Sequence, residues 1–338
     1  MTEKKISAGI LGTGWAVPDK IVTNQDLEQL VDTNDAWITE RTGIRERHVA
    51  PDDMPVSELA YRAASMALED AKTDPEELDL IIVATLTPDR TIPSTACVLQ
   101  DRLGAKRAAA FDLAAACSGF AYASTVAAQF IGSGVYRKVL VVGAETLSKV
   151  VDWTDRNTCI LFGDGAGAAV YGPVEDGYGL LSFDLGSDGS GADVLDIPSS
   201  GSLRPVTAET IGQRLNYIHM DGKAVFRFAV DIMGKTVESS LAKIGMNKES
   251  IDWLVPHQAN IRIIKSAAKR LKLPLDKAII NIEHYGNMSA ASIPVALAEA
   301  AHAHRFKKGD IIALAGFGAG LTWASCIMKW AKEDELDV

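Results

Sequence analysis

Short, nearly uncharged apolar runs recur along the chain, separated by longer stretches in which apolar positions return with a helical period. Residues 78–84 and 138–143 are runs of this kind, the pattern of strands buried on both faces of a parallel sheet. Residues 6–12, 108–113, 168–171, 251–255, 279–282, 310–315 and 322–330 predict the remaining strands. Amphipathic or small-residue segments between them predict helices over 57–71, 94–103, 118–131, 225–244, 260–271 and 290–303. Asn24 caps a short acidic helix to Val31, and a second short helix covers 33–43. Residues 188–220 are polar and turn-rich, and predict a long surface excursion. Strands alternating with helices place the chain in the α/β class.

The pattern repeats. Asp74-Pro-Glu-Glu-Leu-Asp-Leu-Ile-Ile-Val83 parallels Asn247-Lys-Glu-Ser-Ile-Asp-Trp-Leu-Val-Pro256, and Lys138-Val-Leu-Val-Val-Gly143 parallels Asp310-Ile-Ile-Ala-Leu-Ala-Gly316. The offsets, 173 and 172 residues, agree. A period this long is a duplicated domain, not a solenoid, and it divides the chain into halves at 1–175 and 176–338. Each half places its strand ends, where ligands sit in such folds, on one side of its sheet.

Composition narrows the field. The 338 residues are 47% apolar and 23% charged, ordinary for a globular chain of about two domains. No apolar run reaches the roughly 18 residues of a membrane span, so no membrane insertion is expected. The first residues lead straight into a strand pattern without a signal-peptide core, so the expected compartment is the cytoplasm. The four cysteines lack C-x-x-C spacing, which argues against a disulfide framework or a zinc site. A net charge of −10 argues against general nucleic-acid binding. Gly12-Thr13-Gly14 lacks the spacing of a dinucleotide loop, and the glycine-dense stretch at 161–167 lacks a P-loop Lys-Ser/Thr and opens into a strand. Tight backbone packing explains it better.

Three turns carry candidate chemistry. Cys117 stands between a strand and a small-residue helix, where the helix dipole and unpaired N–H groups favour thiolate over thiol; a small buried cysteine used for packing fits the same pattern. His257 and Asn287 occupy turns in the second half. Cys, His and an amide suit covalent acyl transfer, and the same residue types serve cysteine peptidases. His257 taken singly also fits a satisfied polar residue at a strand end. Trp37 and Arg41 lie four apart on one helical face and could grip a base and its phosphates, or form an ordinary cation–π pair.

The stretches Asp35-Ala-Trp-Ile-Thr-Glu-Arg-Thr-Gly-Ile-Arg-Glu-Arg47, Ala115-Ala-Cys-Ser-Gly-Phe120, Phe162-Gly-Asp-Gly-Ala-Gly167, Pro256-His-Gln-Ala-Asn-Ile-Arg262, Tyr285-Gly-Asn-Met-Ser-Ala-Ala-Ser292 and Gly316-Phe-Gly-Ala-Gly-Leu-Thr-Trp323 resemble the β-ketoacyl-acyl carrier protein synthase III family, essentially end to end. The resemblance implies a thiolase-like fold with duplicated five-layered αβαβα halves, a homodimer, and the condensation that starts bacterial type II fatty acid synthesis. It implies that Cys117 takes an acyl group from acyl-CoA, that the N–H groups of Cys117 and Ala319 form an oxyanion hole, and that His257 and Asn287 hold the enolate made when malonyl-acyl carrier protein loses CO₂. Thr33, Trp37, Arg41, Arg156, Gly222, Phe226 and Asn260 would contact CoA, with Trp37 and Arg156 around the adenine. Ile92, reaching across the dimer, and Phe317 would line the acyl pocket. Arg262, Lys265, Lys269 and Arg270 would meet the acidic carrier. No metal or other cofactor is implied, acyl-CoA being a substrate.

Three positions depart from the family pattern. Met288 stands where Thr is common after the amide. Ala319 replaces a usual Gly, so a left-handed backbone there would be strained. Ile92 stands where Phe is frequent, and the smaller group leaves room for branched or longer primers. The rival readings are a quinolone-type or polyketide starter enzyme, a hydroxymethylglutaryl-CoA synthase (whose general-acid Glu has no counterpart motif here), and a non-catalytic acyl-CoA binding protein.

Overall fold

In the computed structural model, which describes residues 6–333, the strands fall into two main sheets built on one plan. In chain order the first half supplies β1 (Ala8–Ala16), α1 (Asp35–Thr42), α2 (Val56–Asp70), β2 (Leu80–Ala84), α3 (Thr95–Leu103), β3 (Ala109–Leu113), α4 (Gly119–Gly132), β4 (Val139–Thr146) and β5 (Asp164–Pro173). The second half supplies β6 (Gly179–Ser187), α5 (Gly222–Ala242), β7 (Trp253–Pro256), α6 (Ile261–Arg270), α7 (Ser292–His302), β8 (Ile311–Gly318) and β9 (Thr322–Lys329). The first sheet has the order β1-β5-β4-β2-β3 and the second β6-β9-β8-β7. Both join two parallel strands to two antiparallel ones in the same sequence, so the duplication read from the chain is a duplication of topology.

The missing partner explains the difference in strand number. Residues 279–282, expected as a strand, contribute only a single bridge, Ala278 to Leu254, before the chain turns into the short helix Ile282–Tyr285. The apolar pattern there is real, but Ile279 and Ile282 are buried without a ladder.

The layers run helix, sheet, helix, sheet, helix. α2 and α3 cover one face of the first sheet, α5 and α6 the outer face of the second, and α4 and α7 lie between the sheets, touching both. α4 is therefore apolar around most of its circumference, with Phe120, Ala123, Ala127 and Ile131 fully buried. The core between the sheets joins residues of both halves, Ile82, Phe120, Val141, Ile293 and Leu314 among them.

Glycines set how closely these layers approach. β1 does not stop at Gly12 as expected but runs through Gly12-Thr13-Gly14. A Cβ on Gly12 would lie 2.3 Å from the Ala71 nitrogen, and one on Gly14 2.4 Å from the Ala63 oxygen. These glycines admit α2 and form no nucleotide loop. Gly143 and Gly167, paired across β4 and β5, do the same for the turn before α7 and for α7 itself: a Cβ would lie 2.2 Å from the Ala290 oxygen and 2.5 Å from the Val295 nitrogen respectively.

The 188–220 segment is a partial correction. It is an excursion, but it folds back as a two-stranded ribbon, Leu195–Asp196 against His219–Met220, over the ends of the strands. Among the described residues, no helix is long and apolar enough to cross a membrane, and no cluster of three His, Cys, Asp or Glu could hold a metal ion. The expectation about the N-terminal segment falls largely on residues 1–5, outside the described residues.

Candidate active site

Cys117 sits in a single 3-10 turn, Ala116–Ser118, between β3 and the N-terminus of α4. Ala116 adopts φ +45°, a left-handed conformation that L residues enter only when the surroundings impose it. Here the surroundings are β8 and β9. The Ser118 hydroxyl is hydrogen-bonded to the Ala115 carbonyl (2.7 Å) and to Thr322 Oγ1 (2.8 Å), which clamps the turn to β9. Gly318 of β8 lies directly beneath: a Cβ there would stand 2.6 Å from the Cys117 nitrogen. The nucleophile of the first half is thus held by strands of the second.

His257 follows β7, its N–H donating to the Ala315 carbonyl of β8 (2.7 Å), and its ring meets Phe317 edge-on at 5.5 Å. Asn287 is fixed by backbone bonds to Leu161 and Gly163, and its Oδ1 accepts the Ser289 N–H (2.8 Å). That bond assigns the amide: the end left for a ligand is the NH₂. Cys117, His257 and Asn287 meet in one cleft, with Gly222, Phe226 and Asn260 along its walls. Cys117 also borders a second cavity, so this residue stands where the two join.

Burial sets the protonation states. It pulls the His257 imidazole down to about 3, so the ring is neutral at physiological pH. Nδ1 is buried without a partner, and placing the proton on Nε2 leaves only a lone pair there. Burial also pushes the Cys117 thiol up to about 12, with the nearby Glu145 adding to the rise and the Ser289 hydroxyl opposing it. This corrects the expectation of a favoured thiolate. The helix end is present, but desolvation of the sulfur outweighs it and the resting group is a thiol.

The expected CoA contacts divide into two groups. Gly222, at the first turn of α5, Phe226 and Asn260 line the cleft. Thr33, Trp37, Arg41 and Arg156 lie in a neighbouring cluster joined to it through Asn260, whose Nδ2 donates to the Arg41 carbonyl (2.9 Å). Both guanidinium groups stand 4.8 Å from the Trp37 ring centre. Trp37 and Arg156 are therefore in direct contact, with no base-sized gap between them, and Arg156 also donates to the Asp32 carbonyl. Thr33 Oγ1 is buried without a partner.

Three further expectations change, and Met288 and Ile92 find their places. Phe317 belongs to the entry cleft beside His257, not to the acyl cavity, because alternation along β8 turns it to the α5 side. Ala319 lines the second cavity with Cys117 but has no left-handed backbone; Gly320 takes that conformation, at φ +137°, so the Ala replacement carries no strain. Arg270 is engaged by Glu238 (2.9 Å) and Asp231 (3.4 Å), leaving Arg262, Lys265 and Lys269 as the exposed cations of α6. Met288 is fully buried beside Ala291 and Val295, with Trp15 and Tyr285 packed around it, and does not reach the cleft. Ile92 is 81% exposed and lines neither cavity of its own chain.

Sequence reasoning missed the walls of the second cavity. Leu86 and Leu147 come from loops after β2 and β4, and Leu195, Ile197 and Ile218 from the ribbon of the excursion. Isolated apolar residues in polar stretches were the only signal. Glu145 and Ser289 were also missed; a lone acidic residue ending an uncharged strand was the available sign for the first.

Models of the 3-oxoacyl-[acyl-carrier-protein] synthase III family match residues 111–189 and, for its C-terminal part, 241–330. A β-ketoacyl-[acyl-carrier-protein] synthase III of Desulfitobacterium hafniense is 58% identical over 97% of this chain and 99% of its own. Among solved structures, the Aquifex aeolicus 3-oxoacyl-[acyl-carrier-protein] synthase III is 45% identical with a TM-score of 0.88, covering 96% of this chain and 100% of that one. The priming β-ketosynthase of the R1128 polyketide pathway is 34% identical with a TM-score of 0.90, covering 99% of both chains. Fold, motif order and full-length identity agree, and the chain belongs to the β-ketoacyl-acyl carrier protein synthase III family of condensing enzymes.

Proposed function

We propose that the chain joins a short acyl-CoA primer to malonyl-acyl carrier protein, releasing CoA and CO₂, through an acyl-Cys117 intermediate. The observation that carries this reading is the meeting of Cys117, His257 and Asn287 at the foot of one cleft, where an apolar cavity opens beyond the sulfur. The pantetheine arm enters along Gly222, Phe226 and Asn260. Cys117 attacks the thioester carbonyl, and the N–H groups of Cys117 and Ala319 stabilise the oxyanion. After CO₂ leaves the malonyl group, the neutral His257 and the Asn287 NH₂ donate to the enolate oxygen. Its carbon then attacks the acyl-enzyme and frees Cys117. CoA adenine binding requires Arg156 to swing off Trp37, so that the base replaces the guanidinium on the ring. No resident cofactor takes part.

The primer range follows from the second cavity. Its aliphatic walls, Leu86, Leu147, Ile197 and Ile218 among them, suit branched or longer acyl groups as well as acetyl. Arg262, Lys265 and Lys269 supply positive charge beside the cleft, suited to an acidic carrier on a chain of net charge −10. β3 is a free edge of the first sheet with Phe111 37% exposed, and pairing of two such edges supports a homodimer. The compartment proposed is the cytoplasm. Identity of 58% to the Desulfitobacterium synthase III, against 34% to the polyketide priming enzyme, favours the former role.

Intact-mass detection of acyl-Cys117 after incubation with acetyl-, isobutyryl- and hexanoyl-CoA, followed by malonyl-carrier addition, tests the reading. Wild type should gain the acyl mass and lose it on condensation, and Cys117→Ser should gain none. No acyl adduct on wild type would end the proposal, and loading by acetyl-CoA alone would end the primer range.

A further inference from the structure

Beside the nucleophile lies a carboxyl that the reaction above leaves idle. Glu145, near the end of β4, is fully buried. It accepts hydrogen bonds from Thr87 Oγ1 (2.6 Å), Thr85 Oγ1 (3.3 Å) and the Leu86 N–H (3.2 Å), all from the loop that leaves β2. An ionisable group withdrawn from water at this cost, next to a reacting sulfur, calls for a role beyond packing. Ser289 links the two. Its backbone is held at φ +45°, its N–H is given to Asn287, and its hydroxyl is buried with no hydrogen-bond partner of its own. That hydroxyl stands beside the Cys117 thiol and the Glu145 carboxyl, because its turn packs on both the Cys117 turn and β4, and it favours the ionised form of each, although no hydrogen bond to either is closed in this structure. Cys117 and Ser289 wall the same cavity.

We propose that the Ser289 hydroxyl passes a proton between the Cys117 sulfur and the Glu145 carboxyl, so that Glu145 stores the thiol proton for the life of the acyl-enzyme. The inference rests on the acyl-Cys117 chemistry above. During loading, the bond from sulfur to the carbonyl carbon forms as the thiol proton moves to Ser289 Oγ and the Ser289 proton moves to the Glu145 carboxylate. The thioester C–S bond breaks, and the CoA thiolate leaves to be protonated by solvent. During condensation, the new C–C bond forms, the Cys117–acyl bond breaks, and the departing sulfur takes a proton from Ser289, which is replenished from Glu145.

The alternatives at the site are poor bases. His257 is held near 3 by its burial, far too acidic as an imidazolium to take a thiol proton. Burial places Glu145 at about 7, close to the operating pH, where a proton acceptor works best. The other charged groups nearby are occupied. Asp164 of β5 accepts from the Ala50 and Ser148 N–H groups, and Asp89, on the loop after β2, accepts from the Ser57 N–H. Residues 289–290 bring only the Ser289 hydroxyl and the Ala290 N–H.

The test is single-turnover acylation of Cys117 by acetyl-CoA, quenched and read by intact mass from pH 5.5 to 9. The wild-type rate should rise with pH through a midpoint near 7. Glu145→Gln and Ser289→Ala should each lose that step and load about 100-fold more slowly at pH 8, the lower range for a positioned proton acceptor. A purely electrostatic role predicts the reverse for Glu145→Gln, because removing a negative charge beside the sulfur lowers the thiol pKa and speeds loading. Loading by Glu145→Gln at or above the wild-type rate, or a wild-type midpoint retained in Ser289→Ala, overturns the relay. If Glu145→Gln misfolds, the Ser289→Ala profile decides alone. Wild type that never acylates refutes the function proposed above, a result distinct from variants that load like wild type.

Discussion

Gly318→Ala isolates how far the second half holds the nucleophile in place. Gly318 has an ordinary backbone conformation, so alanine brings no conformational strain, only volume. The new Cβ would stand 2.6 Å from the Cys117 nitrogen, 3.0 Å from the Ala116 Cβ and 3.3 Å from the Cys117 Cα. The nearest contact is about 0.8 Å short of ordinary van der Waals separation. Its partner is backbone in a turn clamped by Ser118 and Thr322, so no side chain can swing aside. Overpacking of this kind costs about 1–3 kcal/mol, and each kcal/mol lowers Tm by about 2–4 °C in a large domain. The catalytic effect should be larger, since a misplacement near 1 Å costs on the order of 100-fold. Thermal melting and single-turnover acylation by mass spectrometry read the two separately. Gly189→Ala, where an added Cβ meets nothing within 4 Å, is the matched control and should leave both unchanged. A Gly318→Ala protein with wild-type Tm and wild-type acylation would refute the claim that β8 positions Cys117.

Three other outcomes are expected. The folded-state pKa of Glu145, about 7, is raised above the ordinary 4.5, so its contribution to stability is complete below pH 4.5 and is lost as pH rises through 7; wild type should lose roughly 3 kcal/mol relative to Glu145→Gln over that window, and denaturant titrations showing a pH-independent difference would contradict the assignment. Ile197→Phe should fill part of the second cavity, cutting hexanoyl-CoA loading at least tenfold while sparing acetyl-CoA, and equal effects on both would remove Ile197 from the acyl wall. Arg262→Glu with Lys269→Glu should raise KM for malonyl-carrier and weaken its salt dependence, leaving acyl-CoA loading intact; parallel loss of both half-reactions would dismiss a docking role.

Much of this was legible along the chain. Apolar period and punctuation located the strands and helices, and the repeated acidic turn and buried strand exposed a duplication that the two matching sheet orders realise. Cys117, His257 and Asn287 stood out as a thiol, an imidazole and an amide in three turns, a set that suits covalent acyl transfer. Local pattern speaks for local structure, since backbone preference and burial of one face are properties of neighbouring residues. It failed where distant segments compete for the same space. Residues 279–282 have a strand's composition but add only one bridge to β7, at Ala278, before a helix begins at Ile282, and Gly12 and Gly14 are spaced by the approach of α2. The thiol at a helix end reads as a thiolate until the second sheet closes over it and removes the water that would solvate the charge. Ser289 and Glu145 become neighbours of Cys117 only when Gly143 and Gly167 let the turn before α7 settle on the first sheet. The sequence by itself determined the elements, their duplication and the reactive side chains; the tertiary structure decided protonation and contact, because both depend on which surfaces lose water to each other across the interface of the halves.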